Sequence, residues 1–316
     1  MARYRVVFMG SPEFALPTLR HLLETEEVVC VVTQPDRRKG RGQTMTPPPV
    51  KVEAERAGVP VLQPPRLREP EAVAEVAACR PDAVVVVAYG QILPQALLDV
   101  PPLGCLNVHA SLLPKYRGAA PIQWAIIRGE MVTGVTIMQM DAGLDTGDIL
   151  LQQAVAIGNE ETAPELLQRL SEIGARLLGE SLKRARENTL FRMPQNGEAA
   201  SLAPRLTKAG GAIRWSLSAR QVHNLVRGAQ PWPGAFTFLR GRALKVHRAQ
   251  VAQGEATSPG EVLGVGPEGL LVSAGEGRVV LREIQAEGGR RLPASEFVLG
   301  HPVPVGTVLG TVGLKR

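Results

Sequence analysis

The seven residues Asp82-Ala83-Val84-Val85-Val86-Val87-Ala88 constrain the fold of this chain more than any other stretch. A strand with one wet face alternates apolar and polar residues, whereas four consecutive valines place apolar side chains on both faces. Such a strand belongs inside a sheet covered on both sides, and parallel sheets with crossover helices provide that cover. The flanking sequence supplies the parts. Residues 5–9 predict a short strand, and Ser11-Pro12-Glu13 offers an N-cap, a proline at the first helical position and an early carboxylate for a helix to about Leu23. Strands are expected at 28–33, 59–62 and 105–109, and helices over 69–78 and 120–128. Two further strands, at 134–140 and 150–156, precede a long amphipathic helix over 163–187. Residues 1–188 are therefore expected to form an α/β domain with a Rossmann-like, mostly parallel sheet.

Residues 189–207, with Pro194, Asn196, Gly197 and Pro204, read as a linker, and after them the texture changes. Residues 208–316 predict a short helix at 218–227 and apolar strands at 235–239, 244–251, 260–265, 270–273 and 278–284, separated by glycines. That pattern fits a small, OB-like β-barrel. Charge divides along the same line: residues 206–316 carry 14 Lys and Arg against 7 Asp and Glu, and the remainder of the chain 22 against 23. A basic third without a basic amphipathic helix favours nucleic acid over a membrane as partner, the plainer alternative being a solvated surface with no specific partner. Three scattered cysteines give no disulfide framework and no metal motif. With no signal-peptide pattern and no apolar run of membrane-spanning length, a cytoplasmic location is expected. The first βα turn, Met9-Gly10-Ser11-Pro12, has one glycine of a dinucleotide fingerprint, and no Walker sequence occurs, so neither NAD nor ATP is indicated.

The chemistry concentrates at Cys105-Leu-Asn-Val-His-Ala-Ser-Leu-Leu-Pro-Lys-Tyr-Arg-Gly118. Asn107 and His109 are two residues apart, so on a strand they share a face, and the turn-forming residues after them place the pair at a carboxyl end, where open α/β sheets bind ligands. The pair couples an amide donor to a titratable base. A third member is sought in Asp141-Ala-Gly-Leu-Asp145-Thr-Gly-Asp148, a tight acidic loop that reaches the same rim if its strand runs parallel to the one carrying His109. A carboxylate would orient the imidazole and an amide would stabilise a developing oxyanion, as acyl transfer through a tetrahedral adduct requires. Alone, an Asn-x-His pair at a strand end is more often a structural hydrogen-bonding pair than a catalytic one. The acidic loop lacks the bidentate glutamate of a calcium loop, so metal is not implied.

Taken together, these two segments resemble the folate-dependent formyltransferase family. Phe8-Met-Gly-Ser-Pro-Glu-Phe14, Gln34-Pro-Asp-Arg-Arg-Lys-Gly-Arg-Gly42, Ser216-Leu-Ser-Ala-Arg220 and Pro231-Trp-Pro-Gly234 extend the likeness over nearly the whole chain. The resemblance implies that Asn107, His109 and Asp145 are the catalytic set and that 10-formyltetrahydrofolate is the formyl donor. It places Ser111, Leu112, Leu113 and Pro114 along the folate, and Ala88, Tyr89, Gly90, Gln91, Ile92 and Leu93 around the pterin with the 141–148 loop, including Asp141 and Gly143. Formyl chemistry does not identify the acceptor. The basic C-terminal third and the cationic run Arg37, Arg38, Lys39 and Arg41 favour charged tRNA; the resemblance then implies the α-amine of initiator methionine as acceptor and makes this run the loop that meets the acceptor arm, with Arg41 foremost. A solvated loop is the plainer reading of that run. An amino sugar nucleotide as acceptor would require neither feature, and a catalytically silent RNA-binding protein would not require Asn107, His109 and Asp145. Trp232 is expected to pack rather than stack on a base, His223 and His301, which carry no partner pattern, to be structural or exposed, and Pro47-Pro48-Pro49 to form a stiff connector. A monomer is expected, since no exposed apolar stripe is evident.

Overall fold

The computed structural model describes residues 3–39 and 42–310. By compactness the chain forms two units: Met1–Gly118, Thr133–Ala156 and Leu167–Ala203 make the first, and Ala119–Val132, Ile157–Leu166 and Pro204–Arg316 the second. In chain order the elements up to the long helix are β1 (Arg5–Gly10), α1 (Leu16–Thr25), β2 (Glu27–Val32), β3 (Arg37–Lys39), β4 (Thr44–Thr46), α2 (Pro49–Arg56), β5 (Val61–Leu62), α3 (Pro70–Ala78), β6 (Ala83–Val87), α4 (Gln95–Leu98), β7 (Cys105–His109), α5 (Pro121–Ile127), β8 (Val132–Gln139), β9 (Ile149–Ala156) and α6 (Ala163–Arg186).

The main sheet of the first unit has the order β5-β2-β1-β6-β7-β8-β9. The valine strand β6 is buried along its whole length and lies between β1 and β7, parallel to both, as a strand apolar on both faces should. Close approach of α6 to β7 depends on Gly174, where a Cβ would lie 2.6 Å from Val108. Val108 points away from the face shared by its neighbours Asn107 and His109, so the pair's opposite face is the one packed against α6. Two expectations need correction. Strand β8 runs antiparallel to β7, with Thr136 opposite His109 and Gln139 opposite Leu106; an apolar run fits either direction, so its composition carried no information about polarity. Residues 37–39 of the basic run are not a loop: β3 and β4 form an antiparallel hairpin with Arg37 opposite Thr46 and Arg38 opposite Met45. Behind it the triple proline leads into α2, with Pro49 as the first helical residue, where a missing N–H costs nothing.

The second unit continues with α7 (Ala219–Gly228), β10 (Ala235–Leu239), β11 (Arg242–Ala252), β12 (Val262–Gly266), β13 (Gly269–Ser273), β14 (Arg278–Ala286), β15 (Leu292–Pro293) and α8 (Ala294–Gly300). Ser218 and Gln221 close a reciprocal capping box that starts α7. Strands β10-β11-β14-β13-β12 pair in that order. Bridges from Gly310 to Phe238 on β10 and from Val308 to Glu261 beside β12 then join the two edges, so the sheet closes on itself as a barrel. Its core includes Val222, Val226, Leu244, Val246, Leu270, Val272, Leu281 and Ile284. Helices α5 and α7 meet where Gly228 would place a Cβ 2.7 Å from Ile127. His223 is buried on α7 and contacts the Glu160 carboxylate at 3.1 Å through Nε2, while the Arg227 guanidinium donates to the carbonyls of Gly158 and Glu161. Trp232, expected to pack, is 55% exposed. No helix among the described residues is long and apolar enough to cross a membrane.

Candidate active site

Strand β7 delivers Asn107 and His109 to one face at its carboxyl end. His109 is buried, and its Nε2 lies 3.0 Å from the carbonyl oxygen of Tyr116. A carbonyl only accepts, so Nε2 donates to it and Nδ1 is turned the other way. There it meets Oδ2 of Asp145 at 3.7 Å, a separation too long for a direct hydrogen bond and suited to a donor held by both. Asn107 is half-buried, and its carboxamide makes no hydrogen bond to any other described residue. A satisfied structural pair would have spent that amide; here it is uncommitted among the described residues.

Asp145 reaches His109 although β8 delivers its loop to the far end of β7. Residues 140–148 leave β8 beside Cys105, as the bond from the Met140 amide to the Cys105 carbonyl marks, and then fold back. The return is tight: a Cβ on Gly147 would sit 1.8 Å from the Gln139 carbonyl oxygen, and Asp145 adopts a left-handed φ of 52°. Asp141 organises the loop internally, accepting from the Gly143 amide and from the Thr146 hydroxyl. At its destination Asp145 Oδ2 accepts from the Gly118 amide at 2.8 Å, which leaves Oδ1 uncommitted by that bond. Gly118 itself has φ 118°, in the region that favours glycine.

The segment 111–114 is placed by its own hydrogen bonds. Ser111 is fully buried and donates to the Lys115 carbonyl, while Thr136 Oγ1 donates to the Ser111 carbonyl and accepts from the Leu113 amide. Gln152 adds bonds to the Leu113 carbonyl and to Thr136. Ser111 and Leu113 thus shape the turn from inside, and Leu112 and Pro114 are its half-buried members. Parallel pairing of Val86 with Asn107 brings residues 88–93 to the same carboxyl edge as His109. There Tyr89 and Leu93 turn into the core and Ala88, Gly90 and Ile92 outward, with Ile92 85% exposed. Burial pushes the Tyr89 hydroxyl up to about 12, and that hydroxyl has no partner among the described residues. Gln91 ties this loop down through the Leu67 amide and the Pro64 carbonyl. Ile92 and Leu144, the latter 63% exposed on the acidic loop, offer apolar edges that a flat heteroaromatic ring could cover.

On the hairpin, Arg37 and Arg38 are exposed, and Arg37 donates to the Gln34 carboxamide. Hydrogen bonds from Gln63 and Lys51 hold the Asp36 carboxyl below the usual carboxylate range, fixing the root of the hairpin. Lys39 ends β3, and Arg41 lies outside the described residues. Among the described residues no group of three His, Cys, Asp or Glu is placed to hold a metal ion.

Sequence reasoning missed the residues that hold the set together. The stretch read as a linker lies along the turn after β7: Ser201 Oγ accepts from the Tyr116 amide, the Arg117 amide donates to the Ser201 carbonyl, and the Ala203 amide donates to the Arg117 carbonyl. Gln195, in the same stretch, bonds Arg117, Asp145 and Gly147. These bonds join groups 48 to 86 residues apart, and no local pattern announces them.

A family model described as formyl transferase matches residues 4–182, and one described as formyl transferase, C-terminal domain, matches residues 205–302. The methionyl-tRNA formyltransferase of Geobacter sulfurreducens is 53% identical over 314 residues, 99% of this chain and 99% of the relative. That of Acetivibrio thermocellus is 52% identical over 307 residues, 97% of this chain and 98% of the relative. Among solved structures, the sugar 3N-formyl transferase WlaRD superposes with a TM-score of 0.66 at 17% identity, over 91% of this chain and 98% of that one. HypX from Aquifex aeolicus, solved with tetrahydrofolic acid, superposes with a TM-score of 0.63 at 18% identity over 94% of this chain, which spans 47% of its length. Those two likenesses concern the fold alone; the matches at half identity over full length, on top of the Asn107, His109 and Asp145 geometry, show that the chain belongs to the formyl transferase family, among the methionyl-tRNA formyltransferases.

Proposed function

We propose that this chain transfers the formyl group of 10-formyltetrahydrofolate to the α-amino group of methionine on initiator tRNA, for translation initiation. The observation that carries the reading is His109: Nε2 is committed to the Tyr116 carbonyl and Nδ1 turned to Asp145, beside an uncommitted Asn107 amide. In the transfer the amine nitrogen forms its bond to the formyl carbon while the oxygen gains negative charge. Asn107 donates to that oxygen, and Nδ1 of His109 takes the amine proton, the resulting imidazolium facing the Asp145 carboxylate. The same proton then goes to the folate nitrogen as its bond to the formyl carbon breaks, which returns His109 to its starting state. The donor's ring system is assigned to the edge formed by residues 88–93 and the 141–148 loop, where Ile92 and Leu144 are exposed.

The acceptor reading rests on relatives at half identity named for methionyl-tRNA and on the cations Arg37, Arg38, Lys39 and Arg41 with the basic C-terminal unit. Sugar formyltransferases resemble the chain only at the level of the fold. The protein is assigned to the cytoplasm, where initiator tRNA is charged, and to a monomeric state. In an assay offering charged tRNA and an amino sugar nucleotide side by side, formyl transfer should go to the tRNA. Asn107→Ala and His109→Ala should each lower turnover at least about a hundredfold with tRNA binding retained; near-normal turnover in either, or transfer only to the sugar, would reject the assignment.

A further inference from the structure

The two groups that face His109 come from separate segments, Tyr116 from the turn after β7 and Asp145 from the folded-back loop, and one side chain outside both spans them. The Gln195 carboxamide donates from Nε2 to the Asp145 carbonyl at 2.9 Å and to the Gly147 carbonyl at 2.7 Å, while its Oε1 accepts from Arg117 Nε at 3.1 Å and Nη2 at 2.7 Å. Both amide hydrogens and both lone pairs are thereby used, so the group has one orientation available. Its donor half holds an aspartate in the left-handed region, a conformation that persists only where surroundings fix it. Its acceptor half holds the residue that lies between Tyr116, whose carbonyl orients His109, and Gly118, whose amide orients Asp145.

We propose that Gln195 is a positioning residue for the transfer reaction: its carboxamide fixes the Asp145 loop to the Arg117 turn and so sets the placement of the Asp145 carboxylate against Nδ1 of His109. This rests on the functional reading above. The half-buried Gln195 is carried by a segment also docked through Ser201 and Ala203, so removing one side chain leaves the segment bound. The two halves of the amide can be separated chemically. Gln195→Glu keeps an acceptor for Arg117 but replaces the donor to the two loop carbonyls with an acceptor, and a carboxylate cannot bond a carbonyl.

A displacement of catalytic groups by about 1 Å costs on the order of a hundredfold. Gln195→Ala and Gln195→Glu should therefore each lower kcat by about ten- to a hundredfold, with KM for both substrates within about twofold and Tm close to that of the parent. The decisive measurement combines each with Asp145→Ala. If Gln195 acts through Asp145, its replacement should cost less than about threefold once the carboxylate is gone, because coupled groups are not additive. An equal loss in both backgrounds, or parental kcat in Gln195→Glu, would overturn the role of Gln195. Parental turnover in Asp145→Ala alone would instead overturn the reading of the site.

Discussion

The Asn107 and His109 pair was legible because a strand repeats every two residues, so three letters of sequence fix a shared face. Asp145 was legible only as one of three aspartates in an acidic loop; its arrival at Nδ1 depends on a fold-back that reverses the direction set by β8. Gln195, Ser201 and Gln152 were not legible, because each bonds main-chain groups far away in sequence, and a main-chain carbonyl looks alike at every position. Gly118 shows how much rests on one residue without a side chain. A Cβ there would lie 2.8 Å from the Ala203 carbonyl oxygen, at a φ that L residues resist, beside the amide that holds Asp145. Gly118→Ala should destabilise the protein by about 1–3 kcal/mol in denaturant unfolding and lower kcat with it; a variant with parental stability and turnover would mean that the turn relaxes freely.

Elements with a strong period were read within a residue or two, including the valine strand, the long helix α6 and five strands of the barrel. Those without one were missed. The β3-β4 hairpin is made of cations, threonines and a methionine with no alternation to declare it, and α2 was hidden by three prolines that read as a connector but end at its first turn. Helix α7 carries the clearest local signal, its capping box, and Ser218→Ala should cost about 1 kcal/mol in equilibrium unfolding. The same helix carries a pH response. Burial holds the His223 imidazole below the usual histidine range, outweighing the Glu160 carboxylate that favours the charged form, with Arg227 and Arg220 opposing that form as well. The folded state thus binds fewer protons than the unfolded one, so this contribution to stability is complete above about pH 6.5 and is lost as the pH falls below it. Thermal unfolding followed from pH 8 to 5.5 should show Tm falling more steeply for the parent than for His223→Gln; parallel curves would assign the acid sensitivity to other groups.

At the scale of the whole molecule, charge and connectivity matter most. The second unit carries 16 Lys and Arg against 11 Asp and Glu over its three stretches, and the hairpin in the first adds exposed arginines. Each phosphate neutralised should make KM for charged tRNA rise about threefold for a fourfold increase in monovalent salt, while KM for the folate changes little; equal responses for the two substrates would argue against phosphate contacts. The sequence showed a change of texture near residue 200 and suggested a cut there, but the second unit also takes in residues 119–132 and 157–166. Periodicity reports what an element is and not which unit it joins. Helix α7 needs α5 beside Gly228, and Arg227 needs the carbonyls of Gly158 and Glu161. Barrel closure at residues 308–310 sets the timing of synthesis. As the chain leaves the ribosome from its N-terminus, α5 and the 157–166 stretch emerge well before α7, and the free edges of β10 and β12 wait for residues 308–310. Until then the nascent chain presents an open sheet, so ribosome stalling or premature termination just short of residue 308 should release a species prone to edge-to-edge association.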